Sequence, residues 1–229
     1  MLGFVNRVLH PERRLIDAVR AQRLTYLHQR ALADLWTAVR DVERRNVPGV
    51  ILEAGCALGG STVVIAAAKA RRRPFRAYDV FGMIPPPSER DGEDVHERYE
   101  KIVSGQSVGI QGDAYYGYQD GLRERVAATI TRFGYPPAEH AIQLVEGLFQ
   151  DSLVVEEPVA LAHLDGDWYE STMTCLTRIG PHLSPGGRFI IDDYEAWSGC
   201  RTAVDEYLAA HPGSFDREQH KRLHLVRPG

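Results

Sequence analysis

Between residues 12 and 46 the apolar positions Leu24, Leu27, Ala31, Leu35, Val39 and Val42 recur at steps of three and four, with arginines and acids between them. That spacing puts them on one helix face. Asn46-Val47-Pro48-Gly49 then supplies a break. Beyond it the pattern changes to short apolar runs. Val50–Ala54, Phe75–Asp79, Ile142–Glu146, Val159–Leu164 and Arg188–Ile191 read as buried strands. Helical patterns lie between them at Gly59–Ala70, Gln119–Phe133, Glu170–Ile179 and Arg201–Ala210. Strands alternating with helices predict an α/β fold: a single doubly wound, mostly parallel sheet covered on both faces. Phe215–Arg227 predicts one or two further strands, antiparallel to the rest.

The chain therefore divides into an N-terminal helical segment, residues 1–48, and an α/β domain, residues 49–229. Residues 81–118 depart from the alternation. They hold Pro85-Pro86-Pro87, a dense charged run over Glu89–Lys101, and Tyr115, Tyr116 and Tyr118. An insertion after the second strand lies at the carboxyl edge of the sheet, where open α/β sheets bind ligands. It is read as a substrate lid.

Composition narrows the picture by exclusion. A length of 229 residues suits one such domain, and 44% hydrophobic with 25% charged residues is ordinary for a soluble protein. A net charge of -4 disfavours a nucleic-acid partner. Arg71-Arg72-Arg73 reads as a solvated helix end. No apolar run approaches the roughly 20 residues of a membrane span, and Met1–His10 lacks the apolar core of a secretory leader. Cys56, Cys175 and Cys200 show no C-x-x-C spacing, which suits a reducing cytoplasm better than disulfides or zinc.

The first strand runs into Glu53-Ala54-Gly55-Cys56-Ala57-Leu58-Gly59-Gly60-Ser61-Thr62. Glycines let the backbone turn sharply, and the helix that follows points N–H groups at a ligand. Ala57 stands where a nicotinamide-binding turn has its second glycine, and Ser61 where a P-loop has lysine. An amino-acid ligand fits better, and the methionine part of S-adenosylmethionine carries both an ammonium and a carboxylate. Glu53 is placed for the ammonium, Ser61 and Thr62 for the carboxylate. Asp79 ends the second strand, where an acid accepts hydrogen bonds from ribose hydroxyls. Gly147 and Leu148, after the third strand, are placed beside an adenine.

Two more strands end in acids: Leu164-Asp165-Gly166-Asp167-Trp168 and Ile191-Asp192-Asp193-Tyr194. Neighbouring strands lie about 5 Å apart, so Asp165, Asp192 and Asp193 come within reach of one ion. Clustered carboxylates repel, and a divalent cation relieves the repulsion. Oxygen-only ligands favour Mg²⁺ or Ca²⁺, with Mn²⁺ also suitable, over zinc. His163, by alternation on the side of Asp165, reads as a core residue or as support for the acids.

These motifs resemble the macrocin O-methyltransferase family over about residues 25–210. The shared marks are Asn46-Val47-Pro48-Gly49, Glu53-x-Gly55-x-x-x-Gly59-Gly60-Ser61, Asp79-x-Phe81-Gly82-Met83, Leu164-Asp165-Gly166-Asp167-x-Tyr169-Glu170-Ser171-Thr172, and Gly186-Gly187-x-x-x-Ile191-Asp192-Asp193-Tyr194 with Trp197, Gly199 and Cys200. The resemblance implies Mg²⁺ at Asp165, Asp192 and Asp193, a general base at Asp167, and sugar hydroxyls as methyl acceptors. Some relatives carry a histidine base three residues after the first metal aspartate; here that position is Trp168. Tyr115, Tyr116, Trp168, Tyr194 and Trp197 are candidate stacking surfaces for a small-molecule or oligosaccharide substrate. The proline- and tyrosine-rich insertion departs from the family pattern. A catechol-type O-methyltransferase and a nicotinamide oxidoreductase are the rival readings. A homodimer is expected from base rates alone.

Overall fold

Every residue of Val50–Ala54 (β1) is buried, as expected of a strand covered on both faces. The computed structural model describes residues 11–229. The reading of Met1–His10 lies outside the described residues. Alternation along β1 splits its side chains between two cores. Ile51 packs with α2 (Gln29–Arg44), α3 (Gly60–Ala68) and α5 (Leu122–Arg132). Val50, Leu52 and Ala54 pack with α7 (Tyr169–Ile179) and α8 (Ser198–Ala210) on the opposite face.

β2 (Phe75–Asp79), β3 (Ile142–Glu146), β4 (Val159–Leu164) and β5 (Leu183–Ile191) join β1 in a parallel array. β6 (Asp216–Gln219) and β7 (Leu223–Val226) add an antiparallel edge. The strand order is β3-β2-β1-β4-β5-β7-β6. It reverses between β1 and β4, so a crevice opens at their carboxyl ends. Ala54 pairs with Leu164, and Leu164 with Ile191, so the three strands end level and their next residues converge.

The N-terminal segment differs from the single continuous pattern over 12–46. α1 (Pro11–Ala21) and α2 are separate helices with a reversal between them. Arg23 takes a left-handed φ of 56°, Thr25 Oγ1 accepts from Leu27 N–H, and His28 Nδ1 caps α2 by accepting from Ala31 N–H. The reversal leans on α3. Gly60 N–H donates to the Leu24 carbonyl at 2.9 Å, and a methyl on Gly60 would sit 2.5 Å from that oxygen. The inserted stretch is also more ordered than a loop. It contains α4 (Glu93–Val103) and two short 3₁₀ turns, Ile110–Gly112 and Tyr116–Tyr118. α6 (Phe149–Ser152) is a single turn after β3. Among the described residues no helix is long and apolar enough to cross a membrane.

One buried lysine staples the edge of the sheet. Lys69 Nζ lies 2.6 Å from the His140 carbonyl and 3.0–3.3 Å from those of Arg73, Ala70 and Arg71, tying the end of α3 to the entry of β3. Lys69→Met leaves those carbonyls without their donor. It is expected to cost about 1–3 kcal/mol, read as a fall in Tm of roughly 2–4 °C per kcal/mol.

Candidate active site

The crevice is a cavity of about 310 Å³ bounded by β1, β2, β4 and β5 ends, the insertion and the α1–α2 reversal. Its floor begins with the turn after β1. Gly55 has φ +88°, and a methyl there would lie 1.8 Å from the Asp165 carbonyl oxygen. Only glycine lets β1 and β4 approach that closely. Gly55→Ala is expected to cost about 2–4 kcal/mol, from strain and displacement of the Asp165 backbone, seen as a lowered Tm or loss of soluble protein.

Asp79 holds the same turn from beneath. Its Oδ2 accepts from Cys56 and Ala57 N–H groups at 2.8 and 3.0 Å, and its Oδ1 from Phe81 N–H at 2.8 Å. Burial raises its carboxyl above the ordinary value despite these bonds. Asp79 still borders the cavity, with Gly55 and Leu148. Gly59, Ser61, Thr62, Gly147 and Glu53 do not. Glu53 is fully buried behind the turn, accepting from Thr62 Oγ1 at 2.6 Å and facing His163 Nδ1 at 3.2 Å. Alternation along β1 puts Glu53 on the side of Ile51, against α3, which is why it supports the turn from behind.

The acids at the ends of β4 and β5 converge. Carboxylate oxygens of Asp165, Asp192 and Asp193 lie within 4.8 Å of one another. Burial, then the charges of the neighbouring aspartates, push the carboxyls of Asp165 and Asp193 well above their ordinary value. Asp192 differs. Burial opposes its charge, yet His163 and Arg222 hold it below the ordinary value. Arg222 reaches in from the β6–β7 turn, its Nε 2.5 Å from Asp192 Oδ1 and its Nη2 3.2 Å from Oδ2. His163, also fully buried, has Nε2 3.9 Å from Asp192 Oδ1. Burial works against its charge, but Asp192 and Glu53 together push it up to about 9. Three carboxylates with one guanidinium among them fit a divalent, oxygen-preferring cation. The other group of metal-ligand residues among those described, Glu218, His220 and His224, already has the Arg188 guanidinium 3.5 Å from both Glu218 Oε2 and His224 Nδ1.

Asp167 stands beside this cluster with φ +56°. Its N–H donates to Asp193 Oδ2, and its Oδ1 accepts from Trp197 Nε1, both at 3.0 Å. Burial pushes its carboxyl up to about 6, with Asp192 and Asp79 adding to the rise while Trp197 and Arg98 oppose it. Tyr115, Tyr116, Trp168 and Trp197 all border the cavity. Tyr194 does not; its hydroxyl donates to Asp205 and accepts from Arg217 on the outer face. The cavity is also lined by residues that the sequence does not assign to the site, among them Tyr26 and Leu27 of the α1–α2 reversal, Arg98 of α4, and Arg222. The α1–α2 reversal and the β6–β7 turn meet the site only through the tertiary fold, whereas Arg98 belongs to the insertion expected at the cleft. Tyr26 alone carries a local hint, as an aromatic off the apolar helix stripe.

A parallel sheet with an antiparallel edge and a ligand cleft at the strand-order reversal defines the Rossmann-like methyltransferase fold. The model of the macrocin O-methyltransferase (TylF) family matches residues 11–214, and the chain belongs to that family of O-methyltransferases. It is 29% identical over 191 residues to demethyldecarbamoylnovobiocin O-methyltransferase of Streptomyces niveus, spanning 81% of this chain and 68% of the relative. It is 31% identical over 190 residues to 8-demethyl-8-(2,3-dimethoxy-alpha-L-rhamnosyl)-tetracenomycin-C 4'-O-methyltransferase of Streptomyces olivaceus, spanning 80% and 67%. The solved structure of the O-methyltransferase NovP superposes with a TM-score of 0.74 at 25% identity, covering 90% of this chain and 83% of that one.

Proposed function

We propose that this enzyme transfers a methyl group from S-adenosylmethionine to a sugar hydroxyl, assisted by a divalent cation, Mg²⁺ or its close substitutes Mn²⁺ and Ca²⁺. The observation that carries this reading is the convergence of Asp165, Asp192 and Asp193 beside Asp167 on one cavity wall. The turn at Gly55 and the carboxylate of Asp79 border the half of the cavity suited to the adenosyl group. Ribose hydroxyls find in Asp79 an acceptor with lone pairs beyond those used by the backbone.

Asp165, Asp192 and Asp193 would hold the cation. When bound, such a cation lowers the pKa of a hydroxyl resting against it and fixes its position. Asp167 then takes the proton. Its carboxyl is oriented by Trp197 Nε1 and its backbone by Asp193. Methyl transfer is an in-line displacement, so acceptor oxygen, methyl and leaving sulfur must align. Trp168, Trp197, Tyr115 and Tyr116 offer apolar faces that a pyranose ring can lie against while its hydroxyls meet the acids.

The sugar acceptor draws support from the relative from Streptomyces olivaceus, whose name places its acceptor on a rhamnosyl unit. A direct test incubates the purified protein with S-adenosylmethionine and Mg²⁺ against a panel of aryl 6-deoxyhexosides and a panel of catechols, following S-adenosylhomocysteine release. Turnover is expected with the glycosides. Turnover of catechols alone would overturn the sugar assignment in favour of a phenol.

A further inference from the structure

Both helices that follow the acidic strand ends begin on a tryptophan. Trp168 and Trp197 are the N-cap residues of α7 and α8, and neither gives a side-chain oxygen to the first-turn N–H groups. Ser, Thr, Asp or Asn ordinarily fills that place. Here the oxygens come from the insertion. Asp91 Oδ1 accepts from Tyr169 N–H at 2.8 Å, while its Oδ2 accepts from the N–H and hydroxyl of Ser88 at 2.9 and 3.0 Å. Asp94 Oδ2 accepts from Ser198 N–H at 3.0 Å, and its Oδ1 takes the Ser198 hydroxyl.

The contact is close-packed. A methyl on Gly199 would lie 1.9 Å from Asp91 Oδ1, and one on Gly92 would lie 2.4 Å from Ser198 Oγ. Trp168 Nε1 adds a third tie, donating to the Pro85 carbonyl at 3.0 Å. What lies between these ties is Asp167. It precedes Tyr169 by two residues, and its carboxylate is held by Trp197, next to Ser198. Its left-handed backbone is uncommon outside glycine and persists only where the surroundings impose it.

We propose that Asp91 and Asp94 are positioning residues, which cap α7 and α8 from the insertion and thereby fix Asp167 from both sides. The insertion is then a fixed wall of the cleft. This rests on the reading of Asp167 as base, but the caps can be tested apart from it. Asp94 is exposed, so its variants are expected to fold; Asp91 is buried and serves as the deeper probe.

Asp94→Ala is expected to lower kcat roughly five- to tenfold, since small misplacement of a catalytic group is costly. The Kd for S-adenosylhomocysteine, by calorimetry, stays at the wild-type value, because neither Asp91 nor Asp94 lines the cavity. Asp94→Asn restores kcat, its amide oxygen accepting from Ser198 N–H and its NH₂ meeting the Ser198 hydroxyl. Hydrogen exchange over residues 93–103 and at Ser198 quickens in Asp94→Ala and not in Asp94→Asn. Asp91→Ala shows the same pattern with a larger fall in kcat. A wild-type kcat in Asp94→Ala together with lost protection overturns the proposal. So does an Asp94→Asn variant as slow as Asp94→Ala, or S-adenosylhomocysteine affinity that falls in step with kcat. If Asp167→Asn kept its full rate while the exchange pattern held, the base assignment would fail and the caps would stand.

Discussion

Asp167→Asn is expected to slow methyl transfer by about 10²–10⁴-fold, the range a positioned general base contributes. The amide has nearly the same shape. It keeps an oxygen for Trp197 Nε1, and the backbone N–H still reaches Asp193. What it loses is the capacity to take a proton. The carboxyl is suited to that task because burial and the neighbouring acids push it up to about 6, closer to neutrality than an exposed aspartate. Binding of S-adenosylhomocysteine and of Mn²⁺, both by calorimetry, is expected to be retained. A wild-type rate in this variant would remove Asp167 as the base.

The second large effect is on the cation. Asp192→Asn, or excess chelator on the wild-type protein, is expected to lower activity on the order of a hundredfold or more, since Lewis-acid assistance contributes several kcal/mol. Stability gives an independent readout. The charge of Asp192 helps push the carboxyls of both Asp165 and Asp193 up, and a cation that binds this cluster in the folded state relieves the crowding and raises the Tm by mass action. Wild-type protein should therefore show a Tm that climbs with Mn²⁺ concentration, and Asp192→Asn should show a flat one. Full turnover in excess chelator would sink the metal-assisted reading.

The sheet was legible because its strands are short apolar runs, each closed by a turn, and their ends carry acids that no buried strand interior tolerates unpaired. The same contrast marked Asp165, Asp167, Asp192 and Asp193. The N-terminal pair of helices was less legible. Leu24 and Leu27 keep the helical phase across the reversal, and the turn is made by Thr25 and His28 side chains, with no glycine or proline to signal it. Glu53 and Thr62 were placed in the cleft from their proximity to the turn in sequence, whereas strand alternation and helix α3 turn them toward each other. Arg222 reaches the cavity from a distant hairpin. No local pattern announces such arrivals, because only the tertiary fold decides which polar side chains of a remote surface element point inward.

The seam between the α1–α2 reversal and Gly60 bears on any attempt to rebuild this enzyme from parts. Leu27, Ala31 and Leu32 share a buried cluster with Val64, and Tyr26 stands at the cavity mouth. A fragment begun at Gly49 would bare that cluster and open one flank of the cleft. Chimaeras meant to exchange acceptor preference with a relative must therefore transplant both N-terminal helices along with the catalytic portion, since the entrance is shared property of the two.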